Sequence, residues 1–207
     1  MSIAVKICGI TRVEDALAAA NAGANAIGLI CFRDSSRYVT LDRAQEIISA
    51  LPPFVSVVGV FVNPVITEVE KILNTLALDI LQFHGEETPQ FCEQFSYSYI
   101  KAIRVSAEVD LVQYAERYLN AKGLLLDSFV EGLHGGSGVR FDWNLIPKEP
   151  PKPVILSGGL NPSNVKQAVA QVRPWAVDVS SGVEVQKGIK DAAKITQFIR
   201  EARYEND

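Results

Sequence analysis

Short runs of β-branched and aliphatic residues alternate along the chain with segments whose apolar positions recur every three or four residues. The first pattern is that of a strand and the second that of an amphipathic helix. The strand runs are Ile3 to Cys8, Ala26 to Cys31, Val55 to Val62, Ile80 to Phe83, Ile100 to Arg104, Leu124 to Asp127, Val154 to Leu156 and Ala176 to Val179. Helical spacing is plainest near the end, where Ile195, Phe198, Ile199 and Ala202 share a face. Two helix starts carry local signals. Thr11-Arg12-Val13-Glu14 has the spacing of a capping box, and Asn161-Pro162 places an N-cap before a first-turn proline, with Val165, Val169 and Val172 on one face behind it. Eight strand and helix units in 207 residues leave about 26 residues each, near the lower limit for a (β/α)8 barrel. The pattern predicts an α/β chain forming a single-domain TIM barrel over residues 1–207.

The proline-rich run from Pro147 to Pro153 resembles a linker in composition, yet the 54 residues after it hold only two strand and helix units and could not close a domain alone. It is read as a stiff connector into the seventh strand. The long connection from Ser128 to Phe141 contains Gly132, Gly135, Gly136 and Gly138. Slack surface loop and active-site lid are both open for it, and its length favours the lid.

Composition narrows the function classes. A 48% hydrophobic content fills a sizeable core. Cys8, Cys31 and Cys92 are widely spaced, with no C-x-x-C pair and only His84 and His134 as imidazoles. Neither a disulfide framework nor a structural zinc site is expected, and a reducing cytoplasm suits such a chain. No apolar stretch reaches the roughly 20 residues of a membrane span, and the first residues lack the basic and cleavage regions of a secretory signal. A formal charge of −4, with Lys and Arg scattered among acids, gives no basic stripe for nucleic acid. Anionic ligands must then be held by local donors.

In such barrels the C-terminal strand ends and the loops after them build the active site. That rule selects Cys8, Arg37, His84, Asp127, Gly158-Gly159 and Ser180-Ser181-Gly182. Cys8 reads either as a small buried hydrophobe or as a thiol for chemistry. Arg37 offers a planar fork for a carboxylate or phosphate, or pairs with Asp34. His84 shares a strand face with Gln82 and binds ligand, holds a neighbour, or caps the strand. Asp127 carries a carboxyl group out of an apolar run, where desolvation favours the proton-donating form. Glycines in Ser157-Gly158-Gly159 and in Asp178-Val179-Ser180-Ser181-Gly182 let backbone amides approach a phosphate, a common use of loops seven and eight. Cys8 and Asp127 would form an acid and base pair that needs no metal.

Six segments in order, Lys6-Ile7-Cys8-Gly9-Ile10-Thr11, Gly59-Val60-Phe61-Val62-Asn63, Gln82-Phe83-His84-Gly85, Gly135-Gly136-Ser137-Gly138 with Phe141-Asp142-Trp143, Ser157-Gly158-Gly159-Leu160-Asn161-Pro162 and Asp178-Val179-Ser180-Ser181-Gly182-Val183-Glu184, resemble the phosphoribosylanthranilate isomerases of tryptophan biosynthesis. The resemblance covers essentially the whole chain. It implies a cofactor-independent Amadori rearrangement of N-(5-phosphoribosyl)anthranilate to 1-(2-carboxyphenylamino)-1-deoxyribulose 5-phosphate. By the same resemblance Cys8 is the general base, Asp127 the general acid, and Arg37 the partner of the anthranilate carboxylate. His84 and Asp178 join the substrate-binding set, and Gly158, Gly159, Ser180, Ser181 and Gly182 form the phosphate site. The expected partner is a small phosphosugar, without nucleic acid, membrane or metal, and the expected assembly is a monomer or homodimer.

Two departures stand out. Asp34 lies where many relatives carry a proline nearby and no acid, so it is placed to compete for Arg37, and Val139-Arg140 stands where relatives often have a lysine. The alternatives are another aldose-ketose isomerase on the same barrel or a non-catalytic phosphosugar-binding protein. Cys8 argues against the histidine-pathway isomerase, which has an aspartate there, and retention of both proton-transfer residues argues against a mere binder.

Overall fold

The computed structural model describes residues 3–128 and 141–204. Eight parallel strands close a barrel in chain order: β1 Ala4–Cys8, β2 Ala26–Ile30, β3 Ser56–Phe61, β4 Ile80–Phe83, β5 Tyr99–Val105, β6 Leu124–Ser128, β7 Val154–Leu156 and β8 Ala176–Val179. Closure comes from pairing of β1 with β8, where Ala4 faces Ala176 and Lys6 faces Asp178. All eight runs read from periodicity are strands, with ends displaced by one residue at most.

Closure turns the two-residue alternation of a strand into an inside and an outside. Val5, Ile7, Ile27, Leu29, Leu81, Phe83, Val177 and Val179 pack in the outer core against the helices. Ile100, Ala102, Leu125, Ile155 and Ala176, with Ala4 and Ile80, fill the barrel interior as an apolar floor. The outer helices are α1 Val13–Asn21, α2 Leu41–Ala50, α3 Ile66–Leu73, α4 Pro89–Glu93, α5 Leu111–Arg117, α6 Val165–Val172 and α7 Ala192–Ala202. In α7 the residues Ile195, Phe198, Ile199 and Ala202 are all buried, as their spacing requires. Asp191 caps that helix through the amides of Ala193 and Lys194. Among the described residues no helix is long and apolar enough to cross a membrane.

Three local expectations fail for identifiable reasons. The capping box at Thr11 does not form: α1 begins at Val13 behind Arg12, which makes no side-chain cap. The Thr11 hydroxyl instead donates to the carbonyl of Gly188, and Asp15 rather than Glu14 is engaged, accepting from Arg12 at 2.6 Å and from the Lys190 amide at 3.0 Å. Asn161-Pro162 opens a turn, not the helix; Asn161 accepts from Ser163, and α6 starts later at Val165. The eighth α-helix is also missing from the described residues. Between β6 and β7 they contain only a single 3-10 turn, Trp143–Leu145, because Pro147, Pro150, Pro151 and Pro153 remove the amides a helix there would need. The run then leads straight into β7. An unforeseen antiparallel ribbon, β9 Glu184–Gln186 with β10 Ile189–Lys190, follows β8. The expected lid, with its four glycines, lies outside the described residues.

One buried charge pair supports the rim. The Lys101 ammonium, 2% exposed, donates to the carbonyls of Phe83 at 3.1 Å and Gly85 at 2.6 Å and lies 3.2 Å from Glu87 Oε2. Glu87 in turn accepts from the amides of Asn63 at 2.8 Å and Gly85 at 2.9 Å, and the Tyr118 hydroxyl donates to its carbonyl at 2.7 Å. The chain on both sides of His84 is thereby held. Removing one partner of such a pair leaves an uncompensated buried charge. Lys101→Met should therefore lower stability by about 3–5 kcal/mol in urea unfolding; an unchanged midpoint would show that the pair contributes nothing net.

Candidate active site

The residues selected from strand ends do converge. Cys8, Arg37, His84, Asp127, Gly158, Gly159, Asp178, Ser180 and Ser181 line one pocket at the C-terminal mouth of the barrel. Gly182 is set behind that lining, its α-carbon against the Leu160 carbonyl, so the loops after β7 and β8 touch there.

Cys8 ends β1 and points inward, 6% exposed. The neighbouring strand makes room for it: a Cβ at Gly28 would stand 2.7 Å from Sγ. Burial pushes the thiol up from its ordinary value; the Lys6 and Lys190 ammonium groups oppose that, and Asp178 adds to it. Burial is the chief cause that pushes the two other thiols, Cys31 and Cys92, up to about 12, and neither lines the mouth.

Asp127 approaches from β6, three strands from β1 around the ring. Its Oδ1 accepts the Ser128 amide at 2.8 Å. Its Oδ2 lies 3.2 Å from His84 Nε2, without the alignment of a hydrogen bond. The Gln82 amide group is 2.9 Å from His84 Nδ1. Of the roles open to His84, ordering Asp127 is the one this geometry favours, since the ring is wedged between Gln82 and the carboxylate.

Arg37 does not pair with Asp34, which is exposed. Its fork meets Glu184 across 147 residues, Nε to Oε1 at 2.7 Å and Nη2 to Oε2 at 2.8 Å. The hydrogen bond to Glu184 raises the Arg37 pKa. Glu184 also takes the Lys190 ammonium at 2.9 Å. Burial pushes the Glu184 carboxyl up, but Arg37 and Lys190 outweigh it and hold it below the usual carboxylate range. Lys190 is itself pulled down, chiefly by burial. A guanidinium carries five N–H donors, so a fork spending one donor on each Glu184 oxygen keeps others for a ligand anion.

Asp178, on β8, takes Lys6 Nζ at 2.6 Å and the Ser157 hydroxyl at 3.2 Å. The loop after β7 turns through Gly158 at φ +83 and Gly159 at φ +65, a left-handed region suited to glycine. Among the described residues the amides of Gly159, Ser181 and Gly182 donate to no protein acceptor. Three free amides where two loops meet suit an anion with several oxygens. Among the described residues no three His, Cys, Asp or Glu side chains cluster as metal ligands would.

Sequence reasoning passed over Lys6, Glu184 and Lys190. Lys6 had a usable signal, since it sits two residues before Cys8 on the same face of an otherwise apolar strand. Nothing local marks Glu184 or Lys190 as partners of Arg37.

A pocket closed by an apolar floor, with a thiol and a carboxyl from strands three apart and free amides at one end, can move protons on a bound phosphosugar. The family model described as N-(5'-phosphoribosyl)anthranilate (PRA) isomerase matches residues 5–201. The N-(5'-phosphoribosyl)anthranilate isomerase of Nitrosospira multiformis is 58% identical over 200 residues, 97% of this chain and 96% of that protein. The phosphoribosyl anthranilate isomerase structure from Thermotoga maritima superposes with a TM-score of 0.86 at 42% identity, covering 97% of this chain and 98% of that one. A structure of a phosphoribosyl anthranilate isomerase in complex with reduced 1-(o-carboxyphenylamino)-1-deoxyribulose 5-phosphate gives a TM-score of 0.83 at 41% identity, with the same coverage.

Proposed function

The chain belongs to the N-(5'-phosphoribosyl)anthranilate isomerase family, and from that premise we propose that Asp127 and Cys8 are the acid and base of its reaction. That reaction is the Amadori rearrangement of N-(5'-phosphoribosyl)anthranilate to 1-(2-carboxyphenylamino)-1-deoxyribulose 5-phosphate, a step of tryptophan biosynthesis. The observation that carries the assignment is the placement of Cys8 on β1 and Asp127 on β6, three strands apart around the ring and lining one pocket.

The chemistry runs in two proton exchanges. Asp127 protonates the furanose ring oxygen, the bond from that oxygen to C1 breaks, and a protonated imine forms. Cys8, as thiolate, takes the proton from C2, and the imine becomes a neutral enolamine. Ketonisation returns both groups to their starting state: C1 gains the proton held by Cys8, and the C2 hydroxyl gives its proton to Asp127. Atoms and charge balance without a hydride carrier.

The remaining residues hold the substrate. Amides of Gly159, Ser181 and Gly182 take the phosphate, with Gly158 and Ser180 shaping the loops. Arg37 takes the anthranilate carboxylate with the donors Glu184 leaves it, Asp178 binds sugar hydroxyls, and His84 orders Asp127. The chain works in the cytoplasm as a monomer or homodimer, with the phosphosugar as its small-molecule partner.

Two measurements test this. In the assay that follows loss of anthranilate-type fluorescence, Cys8→Ala and Asp127→Asn should each lower kcat by about 10² to 10⁴ with little change in KM. A Cys8→Ala enzyme with near full kcat would show that another group is the base. Gly159→Asp puts a carboxylate into the phosphate site at a backbone angle Asp tolerates, and should abolish product-analogue binding in calorimetry. Retained affinity would place the phosphate elsewhere.

A further inference from the structure

A buried lysine in the middle of a barrel strand needs an explanation, because an unpaired ammonium in an apolar interior is costly. Lys6 is 5% exposed, flanked on β1 by Val5 and Ile7, which face outward into the helical core. Its ammonium lies 2.6 Å from Asp178 directly opposite on β8, and Ser157 satisfies the second carboxylate oxygen. The pair occupies the level between the apolar floor and the mouth. Stability alone does not call for it, since buried ion pairs are often replaced by apolar side chains of similar volume without loss. What distinguishes this pair is its place, immediately below Cys8 on the same face of the same strand.

We propose that Lys6 is a positioning residue that keeps Cys8 available as the thiolate, with Asp178 as the counter-ion that fixes the ammonium beneath it. The proposal rests on the reading of Cys8 as the base. Of the charges that oppose burial at the thiol, Lys6 is the larger and Lys190 the smaller. Lys190 is spent on Glu184 and on the carbonyl and hydroxyl of Ser180. Lys6 is shifted differently: burial pulls it down, but Asp178 and Cys8 outweigh that and hold it above the ordinary lysine value, so it remains charged. The other groups facing the pocket are Arg37 from the loop after β2, tied to Glu184 on β9, His84 after β4 and Asp127 on β6. None of them lies on the Cys8 strand.

The test is the pH dependence of Cys8 alkylation by iodoacetamide, followed by intact mass in a Cys31→Ala, Cys92→Ala background, whose thiols lie outside the mouth. Lys6→Met should move the midpoint of alkylation rate to higher pH by about a unit, an approximately tenfold slower reaction near neutrality. Lys6→Arg should restore most of that shift. Asp178→Asn should move the midpoint to lower pH, because it removes an anion near the thiolate while the carboxamide oxygen still accepts from Lys6 and holds the ammonium beneath Cys8. Loosened packing would expose the thiol in all three variants and drive them together toward an ordinary thiol midpoint. Equal midpoints in Lys6→Met and the parent, or shifts of the same sign in Lys6→Met and Asp178→Asn, would overturn the proposal. Full kcat in Cys8→Ala would refute the base assignment alone, and the alkylation midpoints would still decide what Lys6 does.

Discussion

Everything in the mouth of this barrel follows from polar side chains having to be neutralised inside a closed ring. With β1 joined to β8, each strand sends every second residue into a space with no bulk water beneath it. At the floor that space takes Ile100, Leu125, Ile155 and Ala176. One level higher the strands place Lys6 against Asp178. Higher still stand Cys8, His84 and Asp127. In a low dielectric an unmatched charge is heavily penalised and a matched one is rigid, so the same constraint that orders the interior also orients the reacting groups.

The consequence for the proposed chemistry is a mouth organised before substrate arrives. Arg37 is already fixed by Glu184, and Glu184 by Lys190. The β4 rim is fixed by Lys101 and Glu87 behind it. Groups held this way need little rearrangement as charge develops, which is where preorganised sites gain their rate. Burial also pushes the Cys8 thiol up, so the positive charges nearby set how much thiolate there is.

What the sequence made legible was whatever depends on near neighbours. Strand positions came from short β-branched runs, and the inward residues at their ends came from the barrel rule, because both are local consequences of periodicity. Three of the misses share one cause, a tertiary partner remote in sequence that outcompetes a local one. Thr11 had Glu14 three residues away and bonds instead to Gly188. Arg37 had Asp34 nearby and pairs instead with Glu184. Lys6 finds Asp178 across 172 residues, and only barrel closure brings the two together. The Asn161-Pro162 start failed differently: its cap signal was real, but it closed a turn before the helix began.

A crystal structure with reduced 1-(o-carboxyphenylamino)-1-deoxyribulose 5-phosphate bound tests most directly whether a phosphosugar lies between Cys8 and Asp127 with its phosphate on the amides after β7 and β8. In that complex phosphate oxygens should lie within hydrogen-bond distance of the Gly159, Ser181 and Gly182 amides, the carbon derived from C2 beside Cys8 Sγ, and the oxygen released from the ring beside Asp127. A ligand whose phosphate sits elsewhere in the mouth, or whose C2 faces away from Cys8, would contradict that placement.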